Sequence, residues 1–419
     1  MILDASVDSP RFHAQGFLLE ASFACLLLTF VLFPIAHYSV FGFPLYWAEG
    51  ALLCSIGLLL LSHPSALRVR LPENYSAEKG FFLGMTLFLS GIVLSYILNP
   101  HSLSGWGEIK SFYVLPALFL IMILVWGETL ARLKVMAVAW MLGIFAAAVA
   151  SLIAASLGWY LYDGRLAGLY QSPNYLAMLL APGVLIGLHL FQFSLEGGKK
   201  RLALLVGLSA IGMTLWLTRS YAAWCALGAG LLTFFWLGRK GSRFSTGVML
   251  MLILFASVAL FQESRSEKWQ TLVSISDHSS LASRLMIWRS GIQMAADSFP
   301  WGIGTGRFQE VYLQYQRYYP PYLEWAVPTP HNLYLHFLLE GGLLTFLGWF
   351  MCIGWLLILT WRSLFRQTAD STGFVVLGAS LLVFYLAYAL VDTPYMKNDL
   401  ALAVWGSFGL LLAALRLRA

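Results

Sequence analysis

One histidine stands where a polar segment meets a long apolar run, in Val327-Pro-Thr-Pro-His-Asn-Leu-Tyr-Leu-His-Phe-Leu-Leu-Glu-Gly-Gly342. An imidazole titrates near neutrality and can accept a proton from a hydroxyl; a helix amino terminus beside it adds positive potential. The spacing predicts that His331 lies on the first turn of a hydrophobic helix. Pro328 and Pro330 would set the approach, and Thr329 would cap the helix, presenting His331 and Asn332 at its mouth. His336 is five residues further on, about 140° round a helix, so the two imidazoles do not share a face and no zinc site is expected.

Six further ionisable groups fall at or near the ends of apolar segments: Arg165, Arg219, Arg284, Arg289, Asp392 and Lys397. Charged side chains at membrane depth are costly and mark functional positions by default. Each also has a plainer role open to it. Arg219 can snorkel from between two spans, Arg284 and Arg289 can anchor in headgroups, and Asp392 can cap a helix end or pair with Lys397. Glu20, Glu49, His189 and Glu340 lie inside apolar runs and read as structural hydrogen-bonders.

The elements that must position these groups are membrane spans. The chain has 419 residues, 59% hydrophobic and only 11% charged, too little charge for a soluble domain. With a span needing about 20 apolar residues, twelve candidates emerge: 16–36, 42–62, 80–98, 111–126, 134–157, 174–194, 202–218, 220–237, 246–262, 331–361, 372–391 and 400–416. The expected fold is an all-α polytopic membrane protein. The first fifteen residues carry Asp4, Asp8 and Arg11 and lack a basic start, so the first run is expected to remain as an anchor. Cys25, Cys54, Cys225 and Cys352 lie within apolar runs and read as small hydrophobes, with no disulfide framework.

With a cytoplasmic amino terminus, sixteen lysines and arginines fall on cytoplasmic segments, against four on the short outer ones (Lys110, Arg165, Arg219 and Lys397). That asymmetry predicts both termini inside. The chain then divides into spans over 1–262, a large outer loop over 263–330 and further spans over 331–419. The loop holds six basic and six acidic residues, so any anion binding there must come from particular arginines. A helix capped by Ser279-Ser280 is predicted through about Asp297. Leu281, Leu285, Trp288, Ile292 and Ala295 form its apolar stripe, with Arg284 and Arg289 at the rims, as in a helix lying in the membrane interface. Pro300-Trp-Gly-Ile-Gly-Thr-Gly-Arg307 reads as a tight turn rather than a nucleotide loop, because no strand precedes it. The run from 331 to 361 exceeds the hydrocarbon thickness and is expected to tilt, protrude or break near Gly341-Gly342.

A histidine with several arginines on an outer membrane face suits transfer from a lipid-linked pyrophosphate, where arginines neutralise the leaving group. At these residues the chain resembles the O-antigen ligase superfamily of membrane glycosyltransferases, over most of its length, with motifs from about 165 to 400. The similar elements are Arg165-Leu-Ala-Gly168 with Ser172-Pro-Asn-Tyr-Leu-Ala177, Thr218-Arg219-Ser220, Arg284 through Arg289 with Pro300-Trp-Gly-Ile-Gly304, His331-Asn-Leu-Tyr-Leu335 with Glu340-Gly341, and Asp392. The resemblance implies a GT-C-like enzyme of the Gram-negative inner membrane with its site facing the periplasm. It would transfer O-antigen glycan from undecaprenyl pyrophosphate to lipid A–core, inverting and without a metal, needing no cofactor and no nucleic acid. His331 would be the general base and Arg219 and Arg289 would bind pyrophosphate, with Arg284 matched to the same role. Arg165, Asn174, Asn332, Tyr334 and Lys397 would contribute to substrate binding, and Asp392 would either orient the histidine or contact substrate. The same motifs occur in O-antigen polymerases and protein O-oligosaccharyltransferases; the compact length leans toward the ligase. A lipid flippase or transporter is the competing class, but no internal repeat relates the two halves, and the large loop is late and external.

Overall fold

The computed structural model describes residues 10–34, 37–40, 43–62, 78–100, 102, 104–194, 197–238, 280–319, 327–364 and 372–417. Eleven of the twelve expected spans fall on helices; the twelfth, 246–262, lies outside the described residues, as do 263–279 and 320–326 of the expected loop. The helices are α1 (Pro10–Val31), α2 (Trp47–Ser62), α3 (Lys79–Leu98), α4 (Gly105–Trp126), α5 (Leu130–Ser156), α6 (Pro173–Phe193), α7 (Gly198–Thr218) and α8 (Tyr221–Leu237). They continue with α9 (Ser280–Asp297), α10 (Phe308–Tyr315), α11 (Leu333–Leu364), α12 (Thr372–Ala389) and α13 (Asn398–Arg416). Eight of the described helices are long and apolar enough to cross a membrane, and three shorter apolar helices accompany them. The chain is a polytopic helical membrane protein. The expected second span loses its first residues to a small hairpin in which β1 (His37–Val40) pairs antiparallel with β2 (Phe43–Tyr46). Pro44 and the flanking aromatic residues favour extended backbone there.

Helix α13 is apolar on every side and fully enclosed, as such a sequence requires. Around it, α3 and the later part of α11 pack antiparallel along a seam of small residues. A Cβ on Gly91 would lie 2.4 Å from the Thr345 backbone nitrogen, and one on Gly348 would lie 2.3 Å from that of Phe88. Such close backbone approach replaces the hydrophobic drive that is missing between helices in lipid. A π-helical turn over Ile109–Val114 in α4 leaves a carbonyl for an outside donor, and Tyr395 Oη donates to Phe112 O at 2.6 Å.

The expected break at Gly341-Gly342 is a reversal. Gly342 has φ 70° and ψ −172°, far from helical values. In a straight helix Tyr334 and Phe350 would be about 24 Å apart, yet their rings stack at 5.5 Å, and Phe337 lies 4.9 Å from Trp349. The first arm of α11, 333–341, therefore folds back along the second, 343–364. The Pro300–Gly306 turn clasps the reversal. Ile303 N donates to Leu339 O at 2.6 Å and Leu343 N to Pro300 O at 2.8 Å. Gly302, at φ 78°, lies against Leu339 O so closely that a Cβ would meet it at 2.4 Å.

Helix α9 forms as expected and rises beside the first arm of α11; a Cβ on its Gly291 would touch Leu335. It packs on the protein through a different face from the stripe read from sequence, which was expected to lie in the membrane interface. Ser283, Met286, Ile287, Ser290, Gly291 and Met294 pack inward, while Leu285 and Ile292 point outward. Ser283, Ser290 and Gly291 permit the close crossing, with Met286, Ile287 and Met294 filling the space between them.

Candidate functional site

Four helices begin around one buried carboxylate. Asp392, in the turn between α12 and α13, is 2% exposed. Its Oδ1 accepts from Thr393 N at 2.9 Å and lies 2.9 Å from His331 Nδ1. Its Oδ2 accepts from Asn174 Nδ2 at 3.2 Å and faces Arg284 Nη2 at 3.7 Å. Asn174 stands on the first turn of α6, where Ser172 accepts from Asn174 N at 3.3 Å and Pro173 begins the helix. Arg284 comes from the first turns of α9, and Ser220 caps α8. Each of these amino-terminal ends adds positive potential to the cluster.

His331 does not lie on the first helical turn. Helix α11 starts at Leu333, and Asn332 caps it: Asn332 Oδ1 accepts from Leu335 N at 2.9 Å. Thr329, expected as the cap, instead shares a hydrogen bond with Thr393 at 3.0 Å. His331 precedes the cap with φ 48°, in the left-handed region, as does Arg219 with φ 47°. Among the described residues these are the two non-glycine residues so placed. The conformation costs a residue with a Cβ about 1–2 kcal/mol and persists where neighbours over-determine it.

Both turns are held in that way. For His331, Trp288 Nε1 donates to Pro330 O at 3.0 Å and Asn332 Nδ2 to Leu390 O at 2.9 Å. For Arg219, Leu166 N donates to Leu217 O at 3.0 Å and Arg165 Nε to Thr218 O at 2.8 Å. Ser220 then donates to Asn174 Oδ1 at 3.1 Å and contacts Tyr388 Oη at 3.1 Å.

The structure thus brings His331, Asp392, Asn174, Arg165 and Arg284 into one hydrogen-bonded cluster, with Asn332 at its edge. Arg284 does not reach for headgroups: Nε donates to Val391 O at 2.8 Å. Arg219 and Arg289 are both exposed, the first preceding Ser220 in the chain and the second following Trp288. Two of the expected residues are elsewhere. Tyr334 Oη donates to Leu386 O at 2.9 Å, and its ring faces Phe350. Lys397 does not pair with Asp392; its Nζ lies 4.8 Å over the Tyr175 ring. Ser220, Tyr388, Trp288 and Thr393 were not predicted as site residues; Ser220, Trp288 and Thr393 each adjoin a charged residue in the chain, whereas Tyr388 lies within an apolar run and gave no such signal.

Burial works to raise the Asp392 carboxyl, but His331, Arg284 and the Thr393 N–H outweigh it and hold it below its usual range. It is therefore an anion at neutral pH. Burial lowers Arg165, with Asp163 acting in the opposite direction. With Nδ1 donating to a carboxylate, a neutral His331 carries its lone pair on Nε2, the arrangement that lets an imidazole act as a base. The second histidine–carboxylate pair is of another kind. His336 Nε2 lies 3.6 Å from Glu340 Oε2 at 1% exposure. The Glu340 oxygens accept from Gly306 N at 3.0 Å and Phe308 N at 3.2 Å, so this carboxyl fastens the clasping turn. Glu49 is likewise structural, accepting from Lys110 Nζ at 2.9 Å and from Asn398 Nδ2.

A family model described as O-antigen ligase matches residues 202–350. That stretch contains Arg219, Arg284, Arg289 and His331; Arg165, Asn174 and Asp392 lie outside it. The search of curated proteins returned no match.

Proposed function

We propose, from the premise that the chain belongs to the O-antigen ligase family, that it transfers O-antigen glycan from undecaprenyl pyrophosphate to a sugar hydroxyl of lipid A–core. The reaction takes place on the periplasmic face of the Gram-negative inner membrane. The observation that carries the reading is the His331 Nδ1 to Asp392 Oδ1 contact of 2.9 Å, in a cluster that also holds Arg165 and Arg284. His331 Nε2 takes the proton of the acceptor hydroxyl as that oxygen bonds to the anomeric carbon. The bond from that carbon to the pyrophosphate oxygen breaks with its electron pair remaining on pyrophosphate, and the configuration inverts. Arg219 and Arg289, both exposed, neutralise the leaving group, aided by the converging helix amino ends. Asp392 fixes the imidazole and stabilises the imidazolium.

The test is transfer by purified protein in vesicles that contain lipid-linked glycan and lipid A–core, with no nucleotide added. Glycan attached to lipid A–core is the expected product. If the protein instead only lengthens the lipid-linked glycan, it is a polymerase and the acceptor named here is wrong.

A further inference from the structure

Asn174 makes three side-chain contacts that fix its amide in one orientation. Arg165 Nη2 is a donor without acceptor capacity, so its 2.7 Å partner must be the amide oxygen. Asp392, ionised, only accepts, so the amide nitrogen must face it, at 3.2 Å. Ser220 adds a second donor to the oxygen at 3.1 Å. The amide thus joins the two left-handed turns: Ser220 and Arg165 on its oxygen side hold the turn bearing Arg219, and Asp392 on its nitrogen side holds the imidazole of His331. Arg165 is bound to the same turn by Nε to Thr218 O at 2.8 Å.

We propose that Asn174 is a positioning residue that sets the Asp392–His331 pair and the Arg219 turn in register, with Arg165 as its brace rather than as a substrate ligand. This rests on the reading of His331 as the base. A hydrogen-bonding amide is suited to the place because it donates to one side and accepts from the other. An aspartate would keep the accepting side and put a second negative charge beside Asp392. The other charged and titratable groups facing that carboxylate are Arg284 from α9, Tyr175 from α6 and Tyr388 from α12, while Arg165 reaches it only through the Asn174 amide.

The experiment compares Asn174→Ala, Asn174→Asp and His331→Ala with wild type in the same vesicle assay, reading kcat, donor KM and the pH profile of kcat/KM. Asn174→Ala is expected to lower kcat by about tenfold or more while donor KM changes less than about threefold, the pattern of a misplaced base. Asn174→Asp, nearly isosteric and still able to accept from Arg165, is expected to make the imidazole more basic and move the acid limb upward by on the order of one pH unit. That shift reports that position 174 faces the Asp392–His331 pair, and the selective loss of kcat in folded Asn174→Ala is what a merely structural asparagine would not give. Wild-type kcat in Asn174→Ala, or an unmoved acid limb in Asn174→Asp, overturns the proposal. If the alanine variant does not fold, the aspartate variant decides. Undiminished turnover by His331→Ala overturns the base reading itself, whereas its loss alongside normal Asn174 variants overturns only the role of Asn174.

Discussion

Two histidines five residues apart, His331 just before the first arm of α11 and His336 within it, each face a carboxylate, and the two pairs are built differently. His331 meets Asp392 at 2.9 Å across 61 residues of chain, in a cluster built from the ends of four helices. His336 meets Glu340 at 3.6 Å within one helical turn, and that carboxyl is already bound to the backbone of the clasping turn. The lower end of the arm is partly open, charged and conformationally strained; the upper end is closed and anchors a loop. Residue type therefore does not identify the working pair. What separates the two pairs is that Asp392 orients His331 while itself held by Asn174 and Thr393, at a partly exposed end of the arm.

The largest effect expected from this contrast is on turnover. His331→Ala should lower transfer by about 10²–10⁴-fold, the contribution of a positioned general base, while His336→Phe should leave kcat within a few-fold of wild type. Rates from the vesicle assay, with protein amount checked by size exclusion, decide it. Equal losses in both variants would erase the distinction drawn between the two ends of the arm.

Stability should sort the opposite way. Glu340→Leu leaves the Gly306 and Phe308 N–H groups without their acceptor, each costing about 1–3 kcal/mol when buried. Gly302→Ala forces a Cβ to within 2.4 Å of Leu339 O, at a left-handed position. Both should lower the melting temperature in detergent by several degrees, more than His331→Ala does. A His331→Ala protein that melts lower than both would show that the histidine is mainly structural.

The smallest effect is one of pH. The Asp392 carboxyl is held below its ordinary range in the folded protein. A depressed folded value means that its contribution to stability is complete above the unfolded value, about 4, and is lost as pH falls through the folded one. Melting temperature should therefore not lose the Asp392 contribution between pH 8 and pH 5. Asp392→Asn should flatten the decline below about pH 4. A wild-type Asp392 contribution already lost at pH 6 would contradict the ion-pair geometry at this site.

Much of this was legible in the residues. Apolar run lengths gave eleven helices near their observed positions, and of the tilt, protrusion or break expected near Gly341-Gly342 from the excess length after His331, the chain takes the break. Topology grouped Arg165, Arg219, Arg284, Arg289, His331, Asp392 and Lys397 onto one face, and the fold joins Arg165, Arg284, His331 and Asp392 in one cluster while Lys397 packs on Tyr175. Less legible were the local choices. Asn332 rather than Thr329 caps α11, because the chain reaches the helix one residue after a left-handed turn that proline spacing alone does not reveal. The face that α9 packs on the protein was not read from sequence, because hydrophobic periodicity marked only the stripe expected in the membrane interface, and in a membrane both kinds of face can be apolar.

By itself, the sequence determined the solvent: with so little charge and so many long apolar runs, only a bundle of helices can satisfy the backbone in lipid. It also determined where polar chemistry was permitted, since ionisable groups at depth are too costly to be scattered freely. Only the tertiary structure decided which of those groups meet. Hydrogen-bond partners 218, 61 and 107 residues apart, joining Asn174, His331 and Arg284 to the Val391–Asp392 turn, depend on packing across the bundle and leave no periodic trace in the chain. The two left-handed residues belong to that second category. The conformation is uncommon for any residue with a Cβ, less so for His than for Arg, and surrounding hydrogen bonds hold both turns in it.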